Sequence, residues 1–377
     1  MTPENKRNVR RLEFIRGLLL LTLVLYVAVV LIMNSSYLTL DRLMRLRDDV
    51  VFALTEERTS TVSLEGEETV DVQLFQDGFV VLTRNGITVR GNNGNVYSSH
   101  VRRYKEPRLK VSGNYILCFD RGGTEWCLLN SFRILCSRNE EGDIINGSVS
   151  DDGYVSVASE RKNAKGCVTV YNTDGLDLVR WEDTKNYLLD SFFLGKNRLA
   201  VVSLAANREK TDTVFTVFNF KNGELLTSVA SPDTFPLAMA RKGDERVELL
   251  TDSGVISFDG EKPTLTYTYS QPSPNVFRQR EDATMISYQT LSGSVLVEAI
   301  SAEGNVLFGA EFPNVLSLDC CGDRFFVLTA SELFVLDEKG TILTSLKTTA
   351  TQILASAEIT LLRGDSFAEV LELSLPS

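Results

Sequence analysis

The chain has 377 residues, of which 43% are hydrophobic and 24% charged, proportions that are ordinary for a globular protein. Its formal net charge of −11 argues against nucleic acid as a partner, because neutralising phosphates requires clustered lysine and arginine. The one histidine, His100, excludes a multi-histidine metal site and leaves a single candidate for any catalytic triad. His100 lies in a polar stretch, and we interpret it as a surface residue.

The charge is unevenly distributed along the chain. Residues 1–16 carry a net charge of +3, which leaves −14 for the remainder. We interpret residues 1–13 as a basic head. Residues 14–33 read FIRGLLLLTLVLYVAVVLIM and contain one charge, Arg16. A helix of this length spans roughly 30 Å, the thickness of the hydrocarbon core of a bilayer, so we predict a transmembrane helix here.

The flanks of this segment predict its orientation. The basic residues of the head precede the apolar run, which favours a cytoplasmic N-terminus and an extracellular C-terminal domain in a single-pass protein of the cell membrane. The alternative is a cleaved secretory signal, but no Ala-x-Ala pattern follows Met33. Both interpretations export the body of the chain.

Residues 34–58 form the next predicted element. Within LTLDRLMRLRDDVVFALTEE (38–57) the apolar residues fall near helical spacing, and no Pro or Gly interrupts them. We predict a juxtamembrane amphipathic helix that serves as a stalk. A dimerisation seam is the alternative, although the repeat is too short to define a coiled coil.

After residue 58 the apolar residues no longer follow a helical period. Short runs of Val, Ile, Leu, Phe and Tyr are broken by Gly, Asn and Asp, which is typical of an all-β domain. In residues 315–346, VLSLDCC, FFVLT, LFVLD and TILTSL read as four strands joined by tight turns. Similar units begin at Asp71, Arg108, Gly147, Leu189, Leu237 and Val276.

The first turns of successive units are 35 to 48 residues apart, close to the period of a β-propeller blade. A partial unit from Thr351 supplies about three strands, and the β-prone run at 59–64 (TSTVSL) is a candidate for the missing one. Pairing this run with the last unit would close the ring and remove exposed sheet edges. We therefore predict an all-β fold over residues 59–377, a β-propeller of eight blades, with seven as the alternative.

The turn between the third and fourth strands has a recurring form. It reads VYNTDG at 170–175, VFNFKNG at 217–223 and VLDEKG at 335–340. This form resembles the repeat of quinoprotein-like propellers and, more loosely, of WD40-like propellers. Together with the basic head and the single apolar helix, it also resembles uncharacterised membrane-anchored propellers of Gram-positive, clostridia-like bacteria. That resemblance implies an anchored propeller and no particular activity.

The sequence departs from the quinoprotein and WD40 repeats in two ways, so the functions of those families are not inferred for this chain. Quinoprotein repeats typically end in a docking tryptophan, and only Trp181 fits that place, since Trp126 lies elsewhere in its unit. The WD dipeptide is absent. We therefore expect no cofactor.

The cysteines allow two interpretations. Cys118, Cys127 and Cys136 fall on three successive strands of one unit, so neighbours either form a disulfide or remain small buried thiols. Cys320 and Cys321 are a vicinal pair at a strand end. Some quinoprotein dehydrogenases carry a vicinal disulfide over the cofactor, but no other element of such a site is found, so we interpret this pair as structural with one side chain inward.

One local basic cluster surrounds Tyr104 and consists of Arg102, Arg103, Lys105, Arg108 and Lys110. Such a cluster attracts polyanions, and an acidic envelope polymer is the candidate partner. The simpler interpretation is a solvated loop between blades. We predict no metal site. The sequence contains no C-x-x-C pattern that would bind zinc. The Asp151-Asp152-Gly153 triplet, near Asp143, is first of all a turn signal rather than a calcium loop.

Three functions fit these expectations. The first is a non-enzymatic interaction scaffold of the cell envelope, with a protein or an envelope polymer as its partner. The second is a surface sensor that binds a small ligand or a glycan in the central funnel. The third is a hydrolase or lyase of envelope polysaccharide that uses carboxylates and tyrosine. No catalytic signature selects the third, and we predict no catalytic residue.

Overall fold

The computed structural model describes residues 41, 44, 45, 47–49, 61–64, 68–195, 197–206, 210–271 and 274–371. The chain divides into two units, Met1–Glu56 and Glu57–Ser377. The described residues of the first unit are helical. The predicted head at 1–13, the predicted transmembrane helix at 14–33 and most of the predicted helix at 34–58 lie outside the described residues. Within those residues, no helix combines the length and apolar character needed to cross a membrane.

The second unit consists of eight four-stranded antiparallel sheets. Blade 1 contains β2 (Thr69–Phe75), β3 (Gly78–Thr83), β4 (Gly86–Gly91) and β5 (Val96–Val101). Blade 2 contains β6 (Pro107–Ser112), β7 (Tyr115–Asp120), β8 (Glu125–Leu129) and β9 (Ile134–Asn139). Blade 3 contains β10 (Ile144–Val149), β11 (Val155–Arg161), β12 (Ala164–Tyr171) and β13 (Asp177–Asp183). Blade 4 contains β14 (Tyr187–Leu194), β15 (Arg198–Ala206), β16 (Thr211–Asn219) and β17 (Leu225–Ser231).

The other four sheets follow in chain order. Blade 5 contains β18 (Pro236–Lys242), β19 (Arg246–Thr251), β20 (Gly254–Phe258) and β21 (Pro263–Thr268). Blade 6 contains β22 (Pro274–Gln279), β23 (Ala283–Gln289), β24 (Val295–Ser301) and β25 (Val306–Phe312). Blade 7 contains β26 (Val315–Cys321), β27 (Arg324–Thr329), β28 (Glu332–Leu336) and β29 (Ile342–Lys347). Blade 8 contains β30 (Gln352–Ala355), β31 (Thr360–Arg363), β32 (Phe367–Leu371) and, from the start of the body, β1 (Thr61–Ser63).

The sheets are arranged radially around an axis. First strands of successive blades contact one another from blade 1 to blade 5 and from blade 6 to blade 8, and β30 of the last blade contacts β2 of the first. We call these eight strands the inner strands and the fourth strands the outer strands. This is the eight-bladed β-propeller that the repeat spacing predicts, so the seven-blade alternative is wrong.

Antiparallel pairing fixes two faces of the ring. The turns between first and second strands and between third and fourth strands share one face, which we call the turn face. The second-to-third turns and the connections between blades share the other, the connection face.

The core lies between blades, where rings such as Phe308 and Phe325 of neighbouring sheets meet edge to face at 5.2 Å. All six residues of β3 are buried, because a middle strand has a neighbouring sheet on each side.

The ring is closed by a strand from the start of the body. Val62 of β1 pairs with Ala368 of β32 in an antiparallel ladder, as the run at 59–64 predicts. The Val62 side chain is 7% exposed and lies in one core cluster with Phe79 of blade 1 and Leu361 of blade 8. This short strand therefore completes the last sheet and also joins it to the first.

The recurring turn before the outer strands has a local cause. Gly175, Gly223 and Gly340 all adopt φ of 75–76°, which favours glycine because it has no Cβ. The Asp337 carboxylate accepts backbone hydrogen bonds from Lys339 at 2.9 Å and from Thr341 at 2.8 Å, as Asx turns do. The resemblance seen in the sequence is thus the signature of a hairpin geometry.

Replacing Gly340 by alanine should destabilise the protein more than replacing Gly322 by alanine. Both residues have positive φ, 76° and 56°, which costs other residues about 1–2 kcal/mol. A Cβ at Gly340 would also lie 2.9 Å from Cβ of Phe308, whereas a Cβ at Gly322 meets no described atom within 4 Å. Urea unfolding of the two variants measures the difference, and equal losses would contradict the packing argument.

Ring closure can be tested at Val62. Val62→Asp should lower the free energy of unfolding by about 3 kcal/mol or more, because it places an unpaired carboxylate in the core between blades 8 and 1. Thr61→Asp is the matched control, since Thr61 is exposed in the same strand and should change stability by less than about 0.5 kcal/mol. Urea midpoints and protease resistance are the measurements. A Val62→Asp variant as stable as the control would show that β1 does not close the ring.

Candidate functional site

A cavity of about 430 Å³ opens near the axis on the turn face. It is lined by the last residues of five consecutive inner strands, β6, β10, β14, β18 and β22, and by the turns that follow them. The charged side chains of its lining are Lys110, Arg241, Arg280 and Glu281. Its polar lining also includes Ser112, Ser148, Ser191 and Gln279.

Two of these cations pair with carboxylates two blades away. Lys110 of blade 2 lies 3.7 Å, Nζ to Oδ2, from the buried Asp190 of blade 4. Arg241 of blade 5 donates from Nη2 to Oδ2 of Asp151, which follows β10 in blade 3, at 3.1 Å. Asp151 also accepts a hydrogen bond from the Ser112 hydroxyl. These pairs bridge non-neighbouring inner strands and narrow the space at the axis.

The third cation is held by a carboxylate with no exposed surface. Asp319 of β26 accepts from Arg280 Nε at 2.7 Å and Nη2 at 2.6 Å, in a bidentate pair. Arg278 adds a bond at 3.2 Å, and the backbone N–H groups of Cys320 and Ala355 add bonds at 3.0 and 2.9 Å. Five hydrogen-bond donors therefore compensate the burial of the Asp319 carboxylate. The bidentate pair also fixes the orientation of the Arg280 guanidinium.

Burial and hydrogen bonding shift the pKa values of Asp190 and Asp151 in opposite directions, and the net shift differs between the two. Burial raises the pKa of Asp190, and the nearby Lys110 only partly opposes it. At Asp151, burial would also raise the pKa, but the hydrogen bond from Ser112 and the charge of Arg241 together hold it below its ordinary value. Asp151 therefore stays ionised at neutral pH and keeps Arg241 in place.

The basic cluster predicted from the sequence is divided by the structure. Arg102, Arg103 and Lys105 lie in the connection between blades 1 and 2, on the connection face, with Arg108 at the start of β6. Lys110 lies near the opposite end of β6 and lines the axial cavity. Polyanion contact through the first four residues stays a prediction, and Lys110 belongs to a different site.

Tyr104 lies inside this sequence cluster but not on its surface. Its side chain is 6% exposed, and its hydroxyl lies 3.6 Å from Sγ of Cys127. Cys127 faces Cys118 across β7 and β8, and both are fully buried in the core between blades 1 and 2. Tyr104 is thus a core residue.

All six cysteines are free thiols. Cys118, Cys127, Cys167 and Cys320 are buried, whereas Cys136 and Cys321 are half-buried. In the vicinal pair, Cys320 points inward and lies 3.7 Å from the carbonyl oxygen of Ala283. The Asp151-Asp152-Gly153 triplet forms the turn after β10, with Gly153 at φ 82°. Within the described part of the chain, no group of three or more potential ligands could hold a metal ion.

The sequence reasoning missed Arg241, Arg280 and Asp319. No local motif marks them, because each belongs to a different unit and they converge only through the ring. One signal was available in the sequence. Charged residues recur in the second half of the first strand of several units, at positions that are apolar in the middle strands.

The fold and the cavity define an eight-bladed β-propeller with a polar axial funnel. Residues 53–358 match the sequence model of a family described as a family of unknown function (DUF5711), and the chain belongs to that family. A comparison with curated proteins finds no match.

Several solved propellers are similar in fold. The computationally designed Ika8 protein is 16% identical, with a TM-score of 0.60 over 82% of this chain and 98% of Ika8. Apo AztD from Citrobacter koseri is 10% identical, with a TM-score of 0.54 over 77% of this chain and 92% of AztD. Quinohemoprotein alcohol dehydrogenase from Comamonas testosteroni is 10% identical, with a TM-score of 0.52 over 84% of this chain and 77% of the enzyme. At such identities the similarity shows the fold alone.

Thiol labelling tests the placement of the cysteines. In the native protein only Cys136 and Cys321 should react with a thiol reagent, and slowly, because burial raises the pKa of both. Cys320, whose pKa burial raises to about 12, should stay unreactive until unfolding. The labelling rate should rise with pH, because the thiolate is the reactive form. Mass spectrometry without reductant should find six labels after denaturation; a Cys118–Cys127 disulfide would leave four.

Proposed function

We propose that this chain is a membrane-anchored, extracytoplasmic propeller that acts as a non-enzymatic interaction scaffold in the cell envelope. The anchor and the export of the propeller rest on the sequence of residues 14–33 and on the basic residues that precede it. The binding role rests on the outer wall of the ring, where exposed aliphatic side chains recur from blade to blade. Their recurrence is the observation that carries the proposal.

An aliphatic side chain is exposed near the start of the outer strand in six blades. These side chains form what we call the aliphatic row: Val96, Leu178, Leu225, Leu265, Val306 and Ile342. Their exposed fractions run from 39% at Leu178 to 58% at Leu225. All six lie next to the hairpins of the turn face, so the row follows one rim of the ring. These recurrent side chains supply apolar surface on one rim that a partner could cover.

A repeated backbone irregularity produces the row. In each of blades 1 to 7 the pairing of the third and fourth strands shifts at the start of the outer strand. In blade 4, for example, Val217 pairs with Thr227 but Phe218 pairs with Leu225. A bulge bends the strand and re-aims its side chains, so the position just before the bulge turns an aliphatic side chain outward in five blades. In blade 3 the exposed residue, Leu178, is the bulged residue itself. A protein that packs its own apolar side chains along the turn-face rim is the partner this surface fits.

The axial cavity favours a second function, that of a surface sensor for a small ligand. Its volume of about 430 Å³ lies within the range of small-molecule sites, and side chains from five blades converge on it. A ligand there would contact inner strands, whereas a scaffold partner would contact outer strands. The two functions therefore use separate surfaces.

Substitutions in the aliphatic row should abolish partner capture. We expect the double variant Leu225→Asp/Ile342→Asp to recover at least about tenfold less partner from detergent-solubilised membranes, because each charge must be desolvated in an apolar contact. Chemical cross-linking followed by affinity purification and mass spectrometry measures the recovery. Leu291→Asp is the matched control, since Leu291 is fully exposed in a turn on the connection face.

The control variant should recover the same partner as the unmodified chain. Undiminished capture by the double variant would exclude the aliphatic row as the binding surface. Repeated failure of the unmodified chain to recover any protein above background would count against the scaffold itself.

A further inference from the structure

The wall of the axial cavity is cationic, although the chain as a whole is acidic. Among the charged side chains that line it, Lys110, Arg241 and Arg280 are cations, and only Glu281 is a carboxylate. Their partners Asp151, Asp190, Asp244 and Asp319 are not part of the lining. Asp190 and Asp319 are buried behind the wall, whereas Asp151 and Asp244 are exposed beside Arg241. The lining itself presents more cations than carboxylates.

The partners fix the direction of the cations without using all their donors. Arg280 bonds through Nε and Nη2, and Arg241 through Nη2. A guanidinium has five N–H donors, so in each pair the Nη1 group remains for another acceptor. Arg280 also donates from Nη2 to the carbonyl oxygen of Ala355 at 3.1 Å, so its Nη1 group is the one left for a ligand. Each arginine can therefore donate a charged hydrogen bond from Nη1 to a carboxylate oxygen.

The rest of the lining is suited to a polyhydroxylated molecule. Ser148 contributes a hydroxyl group and Gln279 its amide oxygen. The Ser191 hydroxyl is buried and bonds to the Ser156 hydroxyl at 2.7 Å, so it is not available to a ligand. Val149, Phe192 and Met239 add apolar surface beside them. Small-molecule sites combine an apolar wall with a few convergent polar groups in this manner.

We propose that the axial cavity binds a small polyhydroxylated carboxylate, a sugar acid, with its carboxylate on Arg241 and Arg280 and its hydroxyl groups on Ser148 and Gln279. This inference rests on the second proposed function, ligand sensing, and names its ligand class. A monoanion suits three cations that are paired with four carboxylates. A phosphate dianion would meet more repulsion from Glu281 and from the carboxylates behind the wall.

The test is ligand binding by the full-length chain in detergent micelles, with D-glucuronate, D-glucose and inorganic phosphate as probes at constant ionic strength. We expect D-glucuronate to raise the melting temperature in a saturable way, because a ligand of the native state stabilises it. D-glucose and phosphate should have little effect. In calorimetric titrations, Arg241→Gln should raise the Kd for D-glucuronate by about tenfold or more, through loss of a charged hydrogen-bond donor.

Two further variants keep the result interpretable. Lys110→Met removes a second lining cation and should also weaken binding, which covers a failure of Arg241→Gln to fold. Arg133→Gln is the control, since Arg133 is exposed in the turn between β8 and β9 and does not line the cavity. Unchanged affinity in Arg241→Gln and Lys110→Met would overturn the assignment of the site.

The three probes separate failure of this inference from failure of ligand sensing. Equal stabilisation by D-glucose, or stronger stabilisation by phosphate, would overturn the sugar-acid class while leaving a ligand-binding cavity. No stabilisation by any probe would overturn the inference and count against the sensor function. Partner capture through the aliphatic row is measured independently of both.

Discussion

The packing of each four-stranded sheet against two neighbours is the constraint on which this structure depends. A middle strand such as β3 is buried along its whole length, so both faces of its sheet must pack against neighbouring sheets rather than face water. A ring satisfies this need for every blade at once, provided that it closes. The pairing of β1 with β32 supplies that closure, and Val62 inserts at the join between blade 8 and blade 1. The same closure brings eight inner strands together at one axis.

The axis is polar because the packing that fills the space between blades does not extend to it. Inner strands approach each other without a further sheet to cover them, and their side chains form ion pairs instead. Asp319 shows how costly such a group would be alone, since an unpaired buried carboxylate destabilises a protein by several kcal/mol. Two arginines and two backbone N–H groups offset that cost. The arrangement also orients Arg280 toward the cavity, which links stability at the axis to recognition there.

The fold was accessible from the sequence because its signals are local. Gly340 and Asp337 define a hairpin within six residues of chain, and repetition of such hairpins gives the blade count and even the closing strand. The axial site was not accessible, because its residues are adjacent only in the ring. Lys110 illustrates the difficulty: its sequence neighbours suggest a basic surface loop, yet the alternation along β6 and the proximity of Asp190 place it at the axis. Pairings between residues 39 or more positions apart leave no mark in a single sequence.

The outer strands present a different problem, since each has one edge without a neighbouring strand. A regular edge invites another chain to add a strand, and a bulge near its start interrupts that template by bending the backbone. The repeated shift in blades 1 to 7 therefore discourages strand addition while it turns the aliphatic row outward. A partner on this rim would be recognised through side-chain packing rather than through backbone pairing. Selectivity would then depend on the spacing of the aliphatic side chains, which the blade repeat sets.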